Sequence, residues 1–320
     1  MKHILVSFME GIKNVWATKY LIGIMLIFKL VTSLILGVPL YLMFSTSFAA
    51  NIKASNFLTG FNPSLVIDFV YYWRRTLSIY VFMFILTSIL IIIAYIFLSG
   101  GFWGVLRDQA KRRVKDTPTV TSGSGTEGFF AACGKYFGGM FKIGLLMIPL
   151  YLFAFLIWLI FIAILGMVVG EGSLWVLTSW RTISKILIAL ILYFCCNMLG
   201  DYLRIFMLEK EDDHIWVVIR KAFRFVWTNL SSTLCLYYLL SIILVGVILF
   251  YGGMYKLVSG ISPTGIFIFI AFLLQQLFVV FHSFYRLIFY SSQMSLYVRI
   301  SDRDDHPGED LDFKMEMRGE

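Results

Sequence analysis

Six long apolar runs dominate the chain, at about residues 20–44, 78–105, 139–168, 182–207, 231–254 and 264–299. A helix needs about 20 apolar residues to cross the hydrocarbon core of a bilayer, whereas a tilted barrel strand needs only ~9–11. Backbone groups inside a membrane must be satisfied within the segment or in a closed barrel, so runs of this length predict helices. A large soluble core is the competing source of apolar residues. It is disfavoured because only 14% of the 320 residues are charged while 59% are hydrophobic, against the ~25% charged of a soluble domain. The chain therefore reads as an all-α membrane protein with six transmembrane helices. The last run keeps a helical pattern to about residue 299. At 1.5 Å per residue it measures roughly 50 Å, more than a bilayer core requires, and is expected to tilt or protrude.

The charged residues orient these spans. The net charge is +8, and most basic residues flank the apolar runs, which speaks for membrane orientation and against nucleic-acid binding. With the N-terminus inside, the inner segments hold 19 basic residues and the outer ones 6; Lys29 and Arg286, within spans, complete the 27. The positive-inside rule then places both termini in the cytoplasm, with the chain in the plasma or inner membrane. Residues 1–17 do not read as a cleavable signal, because no small-residue cleavage site closely follows the first apolar run. Cys133, Cys195, Cys196 and Cys235 form neither a metal spacing nor a disulfide framework.

Three segments lead into spans as amphipathic helices. In residues 1–17, Ile4, Leu5, Phe8, Ile12, Val15 and Trp16 form one face, while Lys2, Glu10, Lys13 and Asn14 avoid it. Residues 126–138 place Phe129, Phe130, Cys133 and Phe137 together, although Gly134, Gly138 and Gly139 weaken that helix. The third begins after a charged elbow, Glu211-Asp212-Asp213, where Asp212 or Asp213 can serve as N-cap. There Trp216, Ile219, Phe223, Val226 and Trp227 fall on one side, and Arg220, Lys221 and Arg224 on another. That is the pattern of a helix in the membrane interface, with rings toward acyl chains and cations toward headgroups. A moving gate is the alternative reading of the same helix.

The unit of interfacial helix, span, outer connection and span then occurs three times, suggesting a duplicated membrane fold. Its copies are residues 1–107, 126–208 and 209–299. Residues 108–125 form a cytoplasmic linker, basic and then Thr/Ser/Gly-rich, and residues 300–320 an acidic cytoplasmic tail. The connection at 46–77 is polar, with a short helix starting at Asn62-Pro63. Gly100-x-x-x-Gly104, Gly134-x-x-x-Gly138 and Gly166-x-x-x-Gly170 are expected to allow close helix packing.

Charge within a span costs about 2.5–3.5 kcal/mol at mid-helix, so it faces helices or a wet cavity rather than lipid. Lys29 lies about nine residues into its span, roughly 14 Å deep. Gln275, His282, Arg286 and Gln293 recur at spacings of 7, 4 and 7, one continuous stripe of a helix. Gln275 and Gln276 lie near the depth of Lys29. Lys29, Gln275, Gln276, His282 and Arg286 are thus a candidate polar site; interhelical hydrogen bonding is the competing reading. Asp201 is the one carboxylate close to a span interior, and Arg204, three residues on, is its expected ion-pair partner.

No metalloprotease, nucleophile-elbow or phosphate-loop motif occurs, and no pair of carboxylates lies within a span. No catalytic residue, metal or cofactor is expected. The stretches FGGMFKIGLLMIPLYLF, GDYLRIFMLEKEDD and VIRKAFRFVWTNL, within about 130–250, resemble the membrane domain that accompanies some prokaryotic glycerophosphodiester phosphodiesterases. No stretch reads as the soluble catalytic domain, so the resemblance implies a helical membrane domain without that enzyme's activity. The expected function is a non-enzymatic membrane scaffold or accessory protein engaging lipids, a protein partner or a second copy of itself. A transporter or lipid-handling protein built on the polar stripe is the alternative.

Overall fold

The computed structural model describes residues 2–49, 63–115, 125–169, 175–209, 214–260 and 265–305. Among them lie eight helices and no strand: α1 (Lys2–Ala17), α2 (Tyr20–Ala49), α3 (Pro63–Lys115), α4 (Thr126–Val169), α5 (Trp175–Glu209), α6 (Ile215–Thr228), α7 (Leu230–Gly260) and α8 (Gly265–Asp305). Six carry segments long and apolar enough to cross a membrane: Tyr20–Leu42, Leu77–Arg113, Thr126–Met167, Thr182–Glu209, Leu230–Leu257 and Phe269–Asp302. No such segment is more than 28% buried, which separates them from the core helices of a soluble protein. Their outward faces carry Phe82, Leu90, Phe153, Ile160, Leu187 and Phe250, a display no soluble monomer sustains over so large an area.

The chain divides into two compact units, residues 1–22 with 96–320, and residues 23–95. The smaller unit holds most of α2 and the first part of α3. Phe28 and Tyr95 rings lie 6.2 Å apart there, and an apolar groove of about 290 Å³ runs between Ile35, Pro39, Leu40, Val81 and Phe84.

The larger unit is organised around the second half of α8. Residues 287–298 are buried almost without interruption, and each neighbour contributes a specific contact. Trp103 of α3 stacks on Tyr290 at 4.6 Å, Tyr237 of α7 meets Phe289 at 5.0 Å, and Phe206 of α5 and Phe225 of α6 flank Tyr297 at 5.0 and 5.3 Å. The Tyr285 hydroxyl donates to the Leu240 carbonyl at 2.5 Å. At 41 residues, α8 is roughly 62 Å long at 1.5 Å per residue. Its second half is covered by neighbouring helices.

α1 runs antiparallel to this central segment. Its buried seam is small and polar: Ser7, Gly11, Asn14 and Thr18, spaced 4, 3 and 4. Asn14 donates to the Ser295 hydroxyl at 3.3 Å, Glu10 pairs with Arg299, and Trp16 meets Phe284 edge-on at 6.3 Å. The apolar face expected for α1 is split: Ile4 and Val15 turn inward, while Leu5 and Trp16 remain exposed.

Two helix junctions are alike. After Trp16 the chain breaks at Thr18-Lys19, with the Thr18 hydroxyl donating to the Asn14 carbonyl at 3.0 Å. After Trp227 it breaks at Asn229, whose amide donates to the Phe225 carbonyl at 3.0 Å. α4 has no such break and runs straight from Thr126 into its span, its three glycines notwithstanding. In α3, likewise, the short helix expected near Pro63 and the following span form one element.

The glycine pairs behave differently from one another. A Cβ at Gly101 would lie 2.5 Å from the Cys133 sulfur, and one at Gly104 3.0 Å from Tyr136, so α3 and α4 touch closely around Gly100–Gly104. Among the described residues nothing lies within 4 Å of a Cβ added at Gly134, Gly138 or Gly166, so the packing role expected for them is not seen there; Gly170 lies outside the described residues.

Candidate functional site

The polar residues that the larger unit brings together lie between α5 and α8. Asp201 sits where α5 crosses the central helix, its side chain 8% exposed. Arg204 Nη1 donates to Asp201 Oδ1 at 2.7 Å. The spacing of three puts both side chains on one helical face. From α8, Arg286 and Gln293 lie near enough to the same carboxylate to bear on it electrostatically. Arg286 Nε donates to the Tyr290 hydroxyl at 2.8 Å. Gln293 is 1% exposed, and neither its nitrogen nor its oxygen makes a hydrogen bond of normal geometry. The buried Tyr202 hydroxyl beside Asp201 is also without a hydrogen-bond partner among the described residues.

The Arg204 guanidinium on the Asp201 carboxylate is a largely buried ion pair within α5. In this position the attraction is strong, and removing the carboxylate would leave the Arg204 charge without its partner. Together with the orphaned Gln293 and Tyr202 groups the pair forms a polar centre with hydrogen-bonding capacity to spare.

The sequence-derived polar stripe is only partly assembled. His282 and Arg286 are half-buried, and the His282 ring lies 6.1 Å from Phe278. Gln275 and Gln276 are exposed, so they lie outside the buried centre. Lys29 is half-buried and belongs to the smaller unit.

On α6 the seam is Val218, Ala222 and Val226. Val218 and Ala222 pack with Ile143, Met147, Leu203 and Met207 of α4 and α5. Val226 therefore belongs to the buried side and not to the outward aromatic face on which the sequence placed it. Trp216, Phe223 and Trp227 are exposed by 76, 55 and 69%, and Phe223 stacks on Trp227 at 5.9 Å. Arg220 and Arg224 are exposed beside them, and Lys221 is half-buried. The N-cap position is His214, which makes no side-chain cap bond; Asp212 and Asp213 lie outside the described residues.

A second ionic cluster joins α3, α4 and α5. Glu209 accepts from Lys111 at 2.6 Å and faces Arg107 at 3.7 Å, while Arg107 Nη1 donates to the Tyr136 hydroxyl at 3.1 Å. Sequence reasoning missed it, because Lys111 and Glu209 stand 98 residues apart and each reads as an ordinary flanking charge. Among the described residues no group of His, Cys, Asp and Glu could hold a metal ion.

Fold and site together define a multi-pass α-helical membrane protein with a largely buried ion pair, Asp201–Arg204, inside its bundle. No protein family, curated protein or solved structure matches the chain.

Proposed function

We propose that this protein is a non-enzymatic scaffold or accessory component of the plasma or inner membrane, with both termini cytoplasmic, that engages lipid or a protein partner through α6. The observation that carries the reading is the division of labour on that helix. Val218, Ala222 and Val226 lock it to the bundle, while Trp216, Phe223 and Trp227 share its outer surface with Arg220 and Arg224. Exposed rings flanked by arginines suit the boundary between acyl chains and anionic headgroups. The fixed seam favours a platform over a moving gate. The matching breaks after Trp16 and Trp227 support a common origin for the first and third of the three proposed repeats; the unbroken α4 gives the second no such support.

The test is to neutralise Arg220, Lys221 and Arg224 together as glutamines and compare, by native mass spectrometry, what is retained after gentle extraction. Loss of an anionic lipid class or of a co-purifying protein is the expected result. An unchanged set of bound lipids and partners would refute the platform.

A second reading, transport or lipid handling, is favoured by the Asp201–Arg204–Arg286 centre and the orphaned Gln293 amide beside it. It requires Lys29→Leu to abolish solute or lipid flux in proteoliposomes while folding is intact. Retained flux there would refute this reading.

A further inference from the structure

We propose that the first half of α8 is the interface between two copies of this chain, joined through the side-chain amides of Gln276. This half, from Gly265 to His282, holds no Asp, Glu, Lys or Arg and belongs to a helix long and apolar enough to cross a membrane. α7 covers one side of it. Phe278 stacks there on Tyr251 at 4.3 Å, and Ala271 and Leu274, on the same side, are half-buried. At 3.6 residues per turn, Gln276 stands about 160° around the helix from Phe278, on the far side from α7.

That far side is a regular stripe. Phe269, Leu273, Gln276 and Val280, spaced 4, 3 and 4, are all exposed. The spacing is the one at which a helix meets another along a seam. α8 begins at Gly265, and Gln276 is roughly 17 Å along it at 1.5 Å per residue. The amide therefore lies within a hydrocarbon core about 30 Å thick. Its side chain makes no hydrogen bond to another described residue. Gln275, also exposed, is about 60° from Phe278 and so lies on the flank, outside the stripe.

Acyl chains offer neither donor nor acceptor, so lipid at that depth leaves the amide unsatisfied, which is costly away from water. A carboxamide carries both kinds of group. Two copies in one membrane share an orientation, so their α8 helices run parallel, and each residue of the stripe meets its own counterpart across a two-fold axis. Nε2 of each Gln276 then donates to Oε1 of the other. The stripe carries no charge for an oppositely charged partner to meet, which favours a second copy over a different protein. One amide in an otherwise apolar seam fixes register and the number of copies. Hydrogen bonds of this kind join helices in lipid, where apolar contact alone gives little drive.

The interface rests on the chain crossing a membrane and not on the α6 platform, so the Arg220→Gln/Lys221→Gln/Arg224→Gln protein is expected to dimerise like the parent. The full chain, fluorescently labelled, is reconstituted into phosphatidylcholine–phosphatidylglycerol liposomes over a range of protein-to-lipid ratios. Single-molecule photobleaching counts the copies. A dimer is expected in the parent and in Gln275→Leu. Gln276→Leu is expected to raise the dimer dissociation constant about tenfold, roughly 1.4 kcal/mol. A parent that is monomeric at every ratio overturns the proposal, as does a dimer undiminished in Gln276→Leu. Should Gln276→Leu not fold, Gln276→Cys decides: mild oxidation in the membrane is expected to give a disulfide-linked dimer beyond that of the parent. No such gain overturns the interface.

Discussion

Replacing Gly11 with alanine tests how α1 is held to the central helix. The added Cβ would lie 2.9 Å from the Ser292 backbone nitrogen and 3.0 Å from its Cα, and would overlap the Ser292 hydroxyl. The hydroxyl can rotate, but the backbone of a buried helix cannot. Carbon contacts settle at about 3.5–4.0 Å, so α1 must retreat by roughly 0.5–1 Å, and a gap of that size forfeits about a quarter to a half of each affected dispersion contact. The Asn14–Ser295 hydrogen bond, already 3.3 Å long, would be stretched beyond useful geometry, a further loss of about 0.5–1.5 kcal/mol. Overpacking of this kind costs about 1–3 kcal/mol. Against it stands the better helix propensity of alanine, worth about 0.8–1.0 kcal/mol. The expected net effect is a loss on the order of 1–3 kcal/mol. Unfolding in mixed micelles with increasing SDS, or thermal unfolding in detergent, measures it. Gly134→Ala is the control: nothing lies within 4 Å of its added Cβ, so only the propensity gain of up to about 1 kcal/mol remains. Adding Ser292→Gly to Gly11→Ala should recover part of the loss, because the hydroxyl is gone and the backbone contact stays. A Gly11→Ala protein as stable as the parent would refute the tight seam.

Asp201→Asn should destabilise the bundle by about 3 kcal/mol, near the lower end for a broken buried pair, because the Arg204 side chain keeps 26% exposure. The same denaturation assays check it, and no loss would mean that the centre is hydrated, as transport requires. Trp103→Ala, at a site 1% exposed, should cost about 3–5 kcal/mol. Trp227→Ala, at 69% exposure, should leave intramolecular stability nearly unchanged while weakening lipid association; equal losses in the two would contradict the assignment of inner and outer faces. Ala222→Leu should strain the seam that fixes α6, costing about 1–3 kcal/mol and lowering the unfolding temperature, whereas Arg220→Gln should not.

The six membrane-crossing helices were legible because their cause is local. An apolar run of sufficient length has to satisfy its own backbone hydrogen bonds, whatever surrounds it. Asp201–Arg204 was legible for a similar reason, being set by helical spacing alone. The Lys111–Glu209 and Glu10–Arg299 pairs were not, since they join residues 98 and 289 apart and no periodicity connects such positions. The inner face of α6 was read wrongly at Val226. Helical spacing groups Val226 with the large rings, but packing turns the small residues to the bundle while the rings stay outside.

The change of side at Val226 marks what sequence and tertiary structure each decided. Composition and run length determined a multi-pass helical membrane protein, because transfer into hydrocarbon depends on the segment itself. Which helix lies at the centre was decided only by packing. Residues 291–295, Ser-Ser-Gln-Met-Ser, are neither apolar nor periodic enough to announce a core, yet they are buried to the last residue. Small side chains let α1 approach closely, and with lipid outside the bundle as apolar as its helices, close approach and hydrogen bonding, more than hydrophobicity, select the interior.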